Sequence, residues 1–155
     1  MSTAESIGAG RWGYFSIGGR TDDLHGAPLS GEFKVEKISD GRFSESEVRH
    51  GGIAEFDQGR TTILSNGKSL TVMVTSRRTP PFSLKQLTAF GIEPKHFQIL
   101  VAKGVNAPLA AYQEVCPSFL RVNTRGVTVA DMKQLPFRHR RPSMFPFEES
   151  TRWST

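Results

Sequence analysis

Two dipeptides, Asp40-Gly41 and Asn66-Gly67, each lie between segments whose side chains suit a pleated sheet. A two-residue type I′ hairpin needs positive φ at both central residues, and Asp-Gly and Asn-Gly take that conformation readily. Before the first pair, residues 32–39 (EFKVEKIS) alternate, with Phe33, Val35 and Ile38 facing inward and Lys34 and Glu36 outward. Residues 42–48 are expected to return as the partner strand. Residues 59–64 lead into the second pair, and the β-branched run 70–75 (LTVMVT) follows it. Upstream, Trp12 to Ile17 alternate bulky and small residues and are closed by Gly18-Gly19, the pattern of another strand. Residues 20–31 carry Gly, Pro and Asp and read as a loop.

The second half changes character. Ser83-Leu84-Lys85-Gln86 has the capping-box pattern, and Gly91 is placed as a C′ residue, which predicts a short helix over 84–90. Residues 97–102 (FQILVA) are nearly all apolar, as in a strand covered on both faces. A helix is expected over 108–115, with Pro108 in its first turn and Cys116-Pro117 at its end. Residues 119–123 read as a strand, and Thr128-x-x-Asp131 as the cap of a short last helix. The tail after Pro136 is expected to be irregular and packed down by Phe137, Phe145 and Phe147. The fold class is therefore α+β: a largely antiparallel sheet with hairpins first, then two or three short helices. Residues 1–10 read as a flexible leader, 11–148 as a single domain and 149–155 as a tail.

Composition narrows the function classes. A chain of 155 residues and 17.2 kDa has the size of one domain. No apolar run approaches the roughly 20 residues that cross a bilayer, and the start lacks the charged and apolar regions of a secretory signal. The single cysteine, Cys116, excludes an intramolecular disulfide and fits a reducing, cytoplasmic setting. The net charge of +5 comes partly from two runs, Arg77-Arg78 and Arg138-His139-Arg140-Arg141. Without an RNP-like run, zinc-finger spacing or basic helix, nucleic acid is not the expected partner.

Catalytic chemistry is sparse. The histidines His25, His50, His96 and His139 form no HxH, HxxxH or HExxH pattern. Asp23-x-His25 is the one closely spaced carboxylate–imidazole pair, a weak metal candidate because zinc takes three or four ligands. Cys116, at a predicted helix end, reads as a small buried residue rather than a reactive thiolate. Ser76 and Ser118 lie in no nucleophile-elbow motif. The most suggestive stretch is Val101 to Pro108, where a strand, a Lys103-Gly104 turn, Asn106 and a helix N-terminus offer backbone N–H groups and an ammonium to an anion. Arg77 and Arg78, at the end of the 70–75 strand, would grip a carboxylate. An ordinary βα turn and a solvated turn before Pro80-Pro81 account for the same residues without any ligand.

Six stretches in order, GGRTDDLHGAPLSGEFKV (18–35), ISDGRF (38–43), GGIAEFDQGRTTIL (51–64), VTSRRTPPF (74–82), FGIEPKHFQILVAKGVNAP (90–108) and RHRRPSMFPFE (138–148), carry a family resemblance. Over residues 10–148 the chain resembles the C-terminal domain of microcystinase C-like (MlrC) metallopeptidases, peptidase family M81, a bacterial type. The resemblance implies zinc-dependent hydrolysis of peptides or related amides by the complete enzyme. It places the zinc ligands and the catalytic carboxylate largely in a longer N-terminal domain, so Asp23-x-His25 is not the family's metal-binding Asp-x-His. A frequent family version of the loop at 103–108 reads Lys-Ser-x-x-His-Phe-Arg; here only Lys103 matches, and no role of that His or Arg transfers. The chain is thus expected to be an accessory domain, inactive alone, with no catalytic residue or metal of its own. Its partner would be an M81-type metal-binding domain on a separate chain, and self-association is also open. The alternative is a non-enzymatic binding or regulatory module for a small anionic ligand or a protein; a truncated remnant fits the sequence too.

Overall fold

The computed structural model describes residues 1–20, 23–47, 52–104, 106–124, 126, 129 and 131–148. Packing divides the chain into two compact units, Met1–Ser16 with Ser30–Leu120, and Ile17–Leu29 with Arg121–Thr155. The elements are α1 (Ser2–Ile7), β1 (Trp12–Ile17), β2 (Leu29–Ser39), β3 (Arg42–Ser44), β4 (Glu55–Asp57), β5 (Thr61–Ser65), β6 (Thr71–Thr75), α2 (Lys85–Thr88) and α3 (Ala107–Tyr112). Single 3-10 turns occur at Pro94–His96 and Met132–Gln134. The strands form a four-stranded sheet in the order β1-β2-β5-β6 and a two-stranded sheet of β3 with β4. This is the mixed α+β architecture that the hairpin signals and the short helical patterns predict.

The Asp40-Gly41 pair is not the expected hairpin. β2 pairs with β5 (Ser39↔Thr61) and β3 pairs with β4 (Arg42↔Asp57), so the two sheets are successive lengths of one antiparallel ribbon. Gln58 N–H donates to Gly41 O at 3.1 Å across the joint, and Glu45 N–H to Ala54 O at 2.7 Å beyond β3. The ribbon therefore continues past the pair as far as Glu45 and Ala54. Gly41 has φ +76°, whereas Asp40 is not among the residues with positive φ, so the pair cannot be a type I′ turn. It kinks a continuous ribbon instead, and a register shift between Val35 and Lys37 adds a second irregularity.

The Asn66-Gly67 signal does mark a hairpin, between β5 and β6, with Ser65 opposite Thr71. Its loop spans five residues rather than two. Asn66 Oδ1 accepts from the N–H groups of Lys68, Ser69 and Leu70 at 3.0–3.1 Å, and Asn66 N–H donates to Leu70 O at 3.0 Å. The side chain does the work of a backbone turn, which is why Asn suits the position.

β5 (TTILS) carries four consecutive buried residues, Thr61 to Leu64, as expected of a central strand covered on both faces. On one face Val35, opposite Leu64, is fully buried, and Phe33 meets Phe15 edge-to-face at 6.3 Å. On the other face Ile63 packs with Phe43, Phe90 and Ile92, with Phe56, Met73, Leu87 and Phe97 around them. Residues 1–10, expected to be a loose leader, contain α1. Ala4 is buried, Arg60 is ion-paired with Glu5, and Gly10 N–H and Arg11 O bond the backbone of Val35 at 2.7 and 2.9 Å. Contacts made from β2 and β5 hold this segment, and its own sequence carries no sign of them.

α2 forms where predicted, and Ser83 Oγ accepts from Lys85 N–H at 3.0 Å. The capping box is incomplete, because the Gln86 amide turns inward to Gln58 Oε1 at 3.1 Å and to Thr79 O at 3.4 Å. α3 ends at Tyr112, three residues sooner than expected. The two strands expected at 97–102 and 119–123 are not formed. Ile99, Val101, Leu120 and Val122 are 79, 95, 93 and 76% exposed, so these apolar runs are uncovered rather than buried. Continuous hydrophobicity reports a need for burial and is silent about which partner supplies it.

In the second unit, Asp131 Oδ1 accepts from Lys133 N–H at 3.1 Å and caps the 3-10 turn Met132–Gln134. The cap expected at Thr128 lies outside the described residues. Phe137 and Phe147 meet edge-to-face at 5.3 Å, and the Arg140 guanidinium lies 4.7 Å from the Phe147 ring centre. Arg140 also pairs with Glu148, whose carboxyl is held below its usual range by that hydrogen bond and by the N–H of Met144. The irregular tail is thus tied by two of its phenylalanines, while Phe145 remains 74% exposed.

Candidate functional site

β6 ends at Thr75 and delivers Arg77 and Arg78 to one end of the ribbon. The two arginines do not act as a pair. Arg77 N–H donates to Gln58 O at 3.0 Å, Thr75 Oγ1 donates to Arg77 O at 2.9 Å, and the Arg77 guanidinium grips Asp57. Asp57 also accepts from Gly59 N–H at 2.8 Å and has Arg42 at 3.9 Å. The Gly59 hydrogen bond, the largest effect, holds its carboxyl below the usual range; burial opposes it, and Arg77 and Arg42 add to the lowering. Arg77 is therefore ion-paired within the protein, through a carboxylate it shares with Arg42, while both Arg77 and Arg78 are exposed.

The Lys103-Gly104 loop lies against the segment that follows these arginines. A Cβ placed on Gly104 would sit 3.6 Å from Pro81 Cγ and 3.1 Å from Pro108 Cδ. Lys103, Gly104 and Asn106 are all exposed. Asn106 precedes α3 but its side chain makes no capping hydrogen bond, and Pro108 near the helix start removes one N–H donor. What the loop offers an anion is thus the exposed Lys103 ammonium more than a cradle of amides.

Asp23 and His25 are exposed, and the His25 ring occupies the space beside Gly126, with Nε2 2.7 Å from where a Cβ would stand. Among the described residues no three His, Cys, Asp or Glu side chains come together as a metal site. Among the described residues, too, no helix is long and apolar enough to cross a membrane.

Cys116, expected to be buried, is half-buried, and its N–H donates to Tyr112 O at 2.8 Å. Tyr112 is buried in α3, and burial, with a smaller contribution from the Cys116 thiol, pushes its phenol up to about 12 from 10.0. A raised pKa stabilises the fold fully below the unfolded value and loses that contribution as pH rises through the folded one. Stability is therefore expected to fall between pH 10 and about 12, less steeply in Tyr112→Phe, as read by unfolding midpoints across an alkaline series.

Two polar features carry no advance sign in the sequence. Gln58, fully buried, holds the Gln86 amide through Oε1 and donates through Nε2 to Met73 Sδ at 3.8 Å. Ser83 Oγ is hydrogen-bonded to Glu45 on the wall of an open concavity that Glu47, Lys85 and Glu114 also line. Both join residues far apart in sequence, and no local motif announces such pairs.

The family model described as MlrC C-terminus matches residues 1–139. The chain belongs to this MlrC C-terminal family. A crystal structure of a candidate metallopeptidase from Mesorhizobium sp. BNC1 superposes with a TM-score of 0.83 at 25% identity. The match covers 99% of this chain but 30% of the Mesorhizobium protein, so this MlrC C-terminal chain spans under a third of that relative. No curated protein matches it.

Proposed function

We propose that this chain is the accessory part of an M81-type zinc metallopeptidase and walls the cleft in which a peptide or related amide is hydrolysed. The observation that carries the reading is the match of nearly the whole chain to under a third of the Mesorhizobium metallopeptidase candidate. In this reading the zinc and the catalytic carboxylate belong to the larger part of the enzyme, on this polypeptide or another. Residues 1–155 alone are expected to hydrolyse nothing, because no cluster of metal ligands that would activate water assembles among the described residues. Uncovered Ile99, Val101 and Leu120 favour this reading over a self-contained binding module, whose surface would be closed and polar.

Within the cleft, Lys103 and Arg78 supply positive charge for a substrate carboxylate, joined by Arg77, which is ion-paired with Asp57 and still exposed. The test is hydrolysis by the complete enzyme of one peptide in two forms, with a free and with an amidated C-terminus. Lys103→Ala is expected to raise KM roughly 10-fold for the free acid, the scale of one charge-assisted hydrogen bond, and to leave the amide unchanged. Equal kinetics on both forms would remove Lys103 from the site. Elemental analysis of the purified chain is expected to find less than about a tenth of an equivalent of zinc, since four-coordinate sites need donors that the described residues do not assemble.

A further inference from the structure

The stretch 99–103 has the exposure pattern of a strand with its apolar face turned outward. Ile99, Val101 and Lys103 are exposed while Leu100 and Ala102 between them are half-buried, a period of two. Ile99 and Val101 are 79 and 95% exposed. Among the described residues no backbone hydrogen bond is made by 98–104: the preceding one is Phe97 N–H to Pro94 O at 3.0 Å. A run of β-branched and apolar side chains with free N–H and C=O groups along it is a template for strand addition.

We infer that residues 98–103 dock as an added strand on an open sheet edge of the larger, metal-bearing body of the enzyme, with Ile99 and Val101 filling its apolar surface. The occupant follows from proportion: in the Mesorhizobium protein the same fold, matched over 99% of this chain, is joined to a body more than twice its size. The inference rests on the accessory-domain reading and adds the element and the mode of contact. Strand addition also explains the position of Lys103. It is the last of the docked residues, so the joint that seats the strand presents the ammonium at the junction of the two bodies.

Hydrogen exchange on two intact proteins tests this. In the 155-residue chain the amides of 98–104 should exchange at nearly the free-peptide rate, while those of β5 are strongly protected. In the full Mesorhizobium protein the matching segment should be slowed at least 100-fold. Val101→Asp should leave the unfolding midpoint of the short chain unchanged, and the matching substitution should lower that of the full protein. Fast exchange in both proteins would overturn the added strand and leave the cleft reading standing. Slow exchange in the short chain would overturn it as well, with light scattering showing whether a second copy covers the segment. Failure of the peptide-kinetics test at Lys103 would instead remove the cleft reading and leave the exchange result intact.

Discussion

Gly41→Ala is expected to destabilise the fold by about 3–5 kcal/mol, combining the cost of left-handed backbone with that of overpacking. Gly41 sits at φ +76° where the ribbon kinks, and a Cβ there would lie 1.9 Å from Gly59 O and 2.5 Å from Thr61 Oγ1. The first obstacle is backbone and cannot rotate away. Relief would require β2 and β5 to separate at the joint that carries the Gln58–Gly41 hydrogen bond. Gly91→Ala is the matched control: its φ is +85°, yet a Cβ there meets nothing within 4 Å. That variant should lose only about 1 kcal/mol, the conformational part alone. Urea unfolding of the two variants separates the terms. Equal losses would mean that the close approach to Gly59 contributes nothing.

Phe43→Ala is expected to cost about 3–5 kcal/mol, the range for emptying a buried phenylalanine site. Phe43 is 7% exposed, stacks on Phe56 at 4.8 Å between nearly parallel rings, and meets Phe90 edge-to-face at 6.1 Å. It is the buried residue through which the short β3–β4 sheet joins Ile63 of the large sheet and the α2 region. Each aromatic pair contributes roughly 0.5–1.5 kcal/mol beyond area burial, so a leucine at this position would recover only part of the loss. Leu120→Ala, at a site 93% exposed, should change stability by no more than about 0.5 kcal/mol. Hydrogen exchange should show the amides of 42–44 and 55–57 deprotected in Phe43→Ala while those of β5 and β6 persist. Uniform deprotection would mean that the two sheets unfold as one unit and that Phe43 is not their joint.

Where a segment's structure follows from its own residues, the sequence was legible. Alternation at β1 and β2, the β-branched run at β6, Ser83 ahead of α2, Gly91 behind it and Pro108 at the start of α3 are local in origin. Each depends on steric preferences and hydrogen bonds within a few residues, and each appears where expected. Among the candidate site residues, the exposure of Arg78 likewise follows from its place just beyond the end of β6. The capture of Arg77 by Asp57 does not, because the two are 20 residues apart and meet only when the ribbon and β6 come together.

The other outcomes were decided by long-range pairing. Asp40-Gly41 looks locally like a reversal, but one positive φ serves a kink as well as a turn, and the pairing of Ser39 with Thr61 and Arg42 with Asp57 selected the kink. The same logic governs 98–104. Its residues determine strand-like alternation and a demand for burial, and only a neighbouring chain segment can satisfy that demand. Sequence by itself therefore determined the locally encoded elements β1, β2, β6, α2 and the start of α3, the α+β class and the membership of the MlrC C-terminal family. Tertiary structure alone decided which strands are partners, which arginine is ion-paired with Asp57, and which apolar surface is left open, because hydrogen bonds and burial between distant residues exist only once the chain has closed on itself.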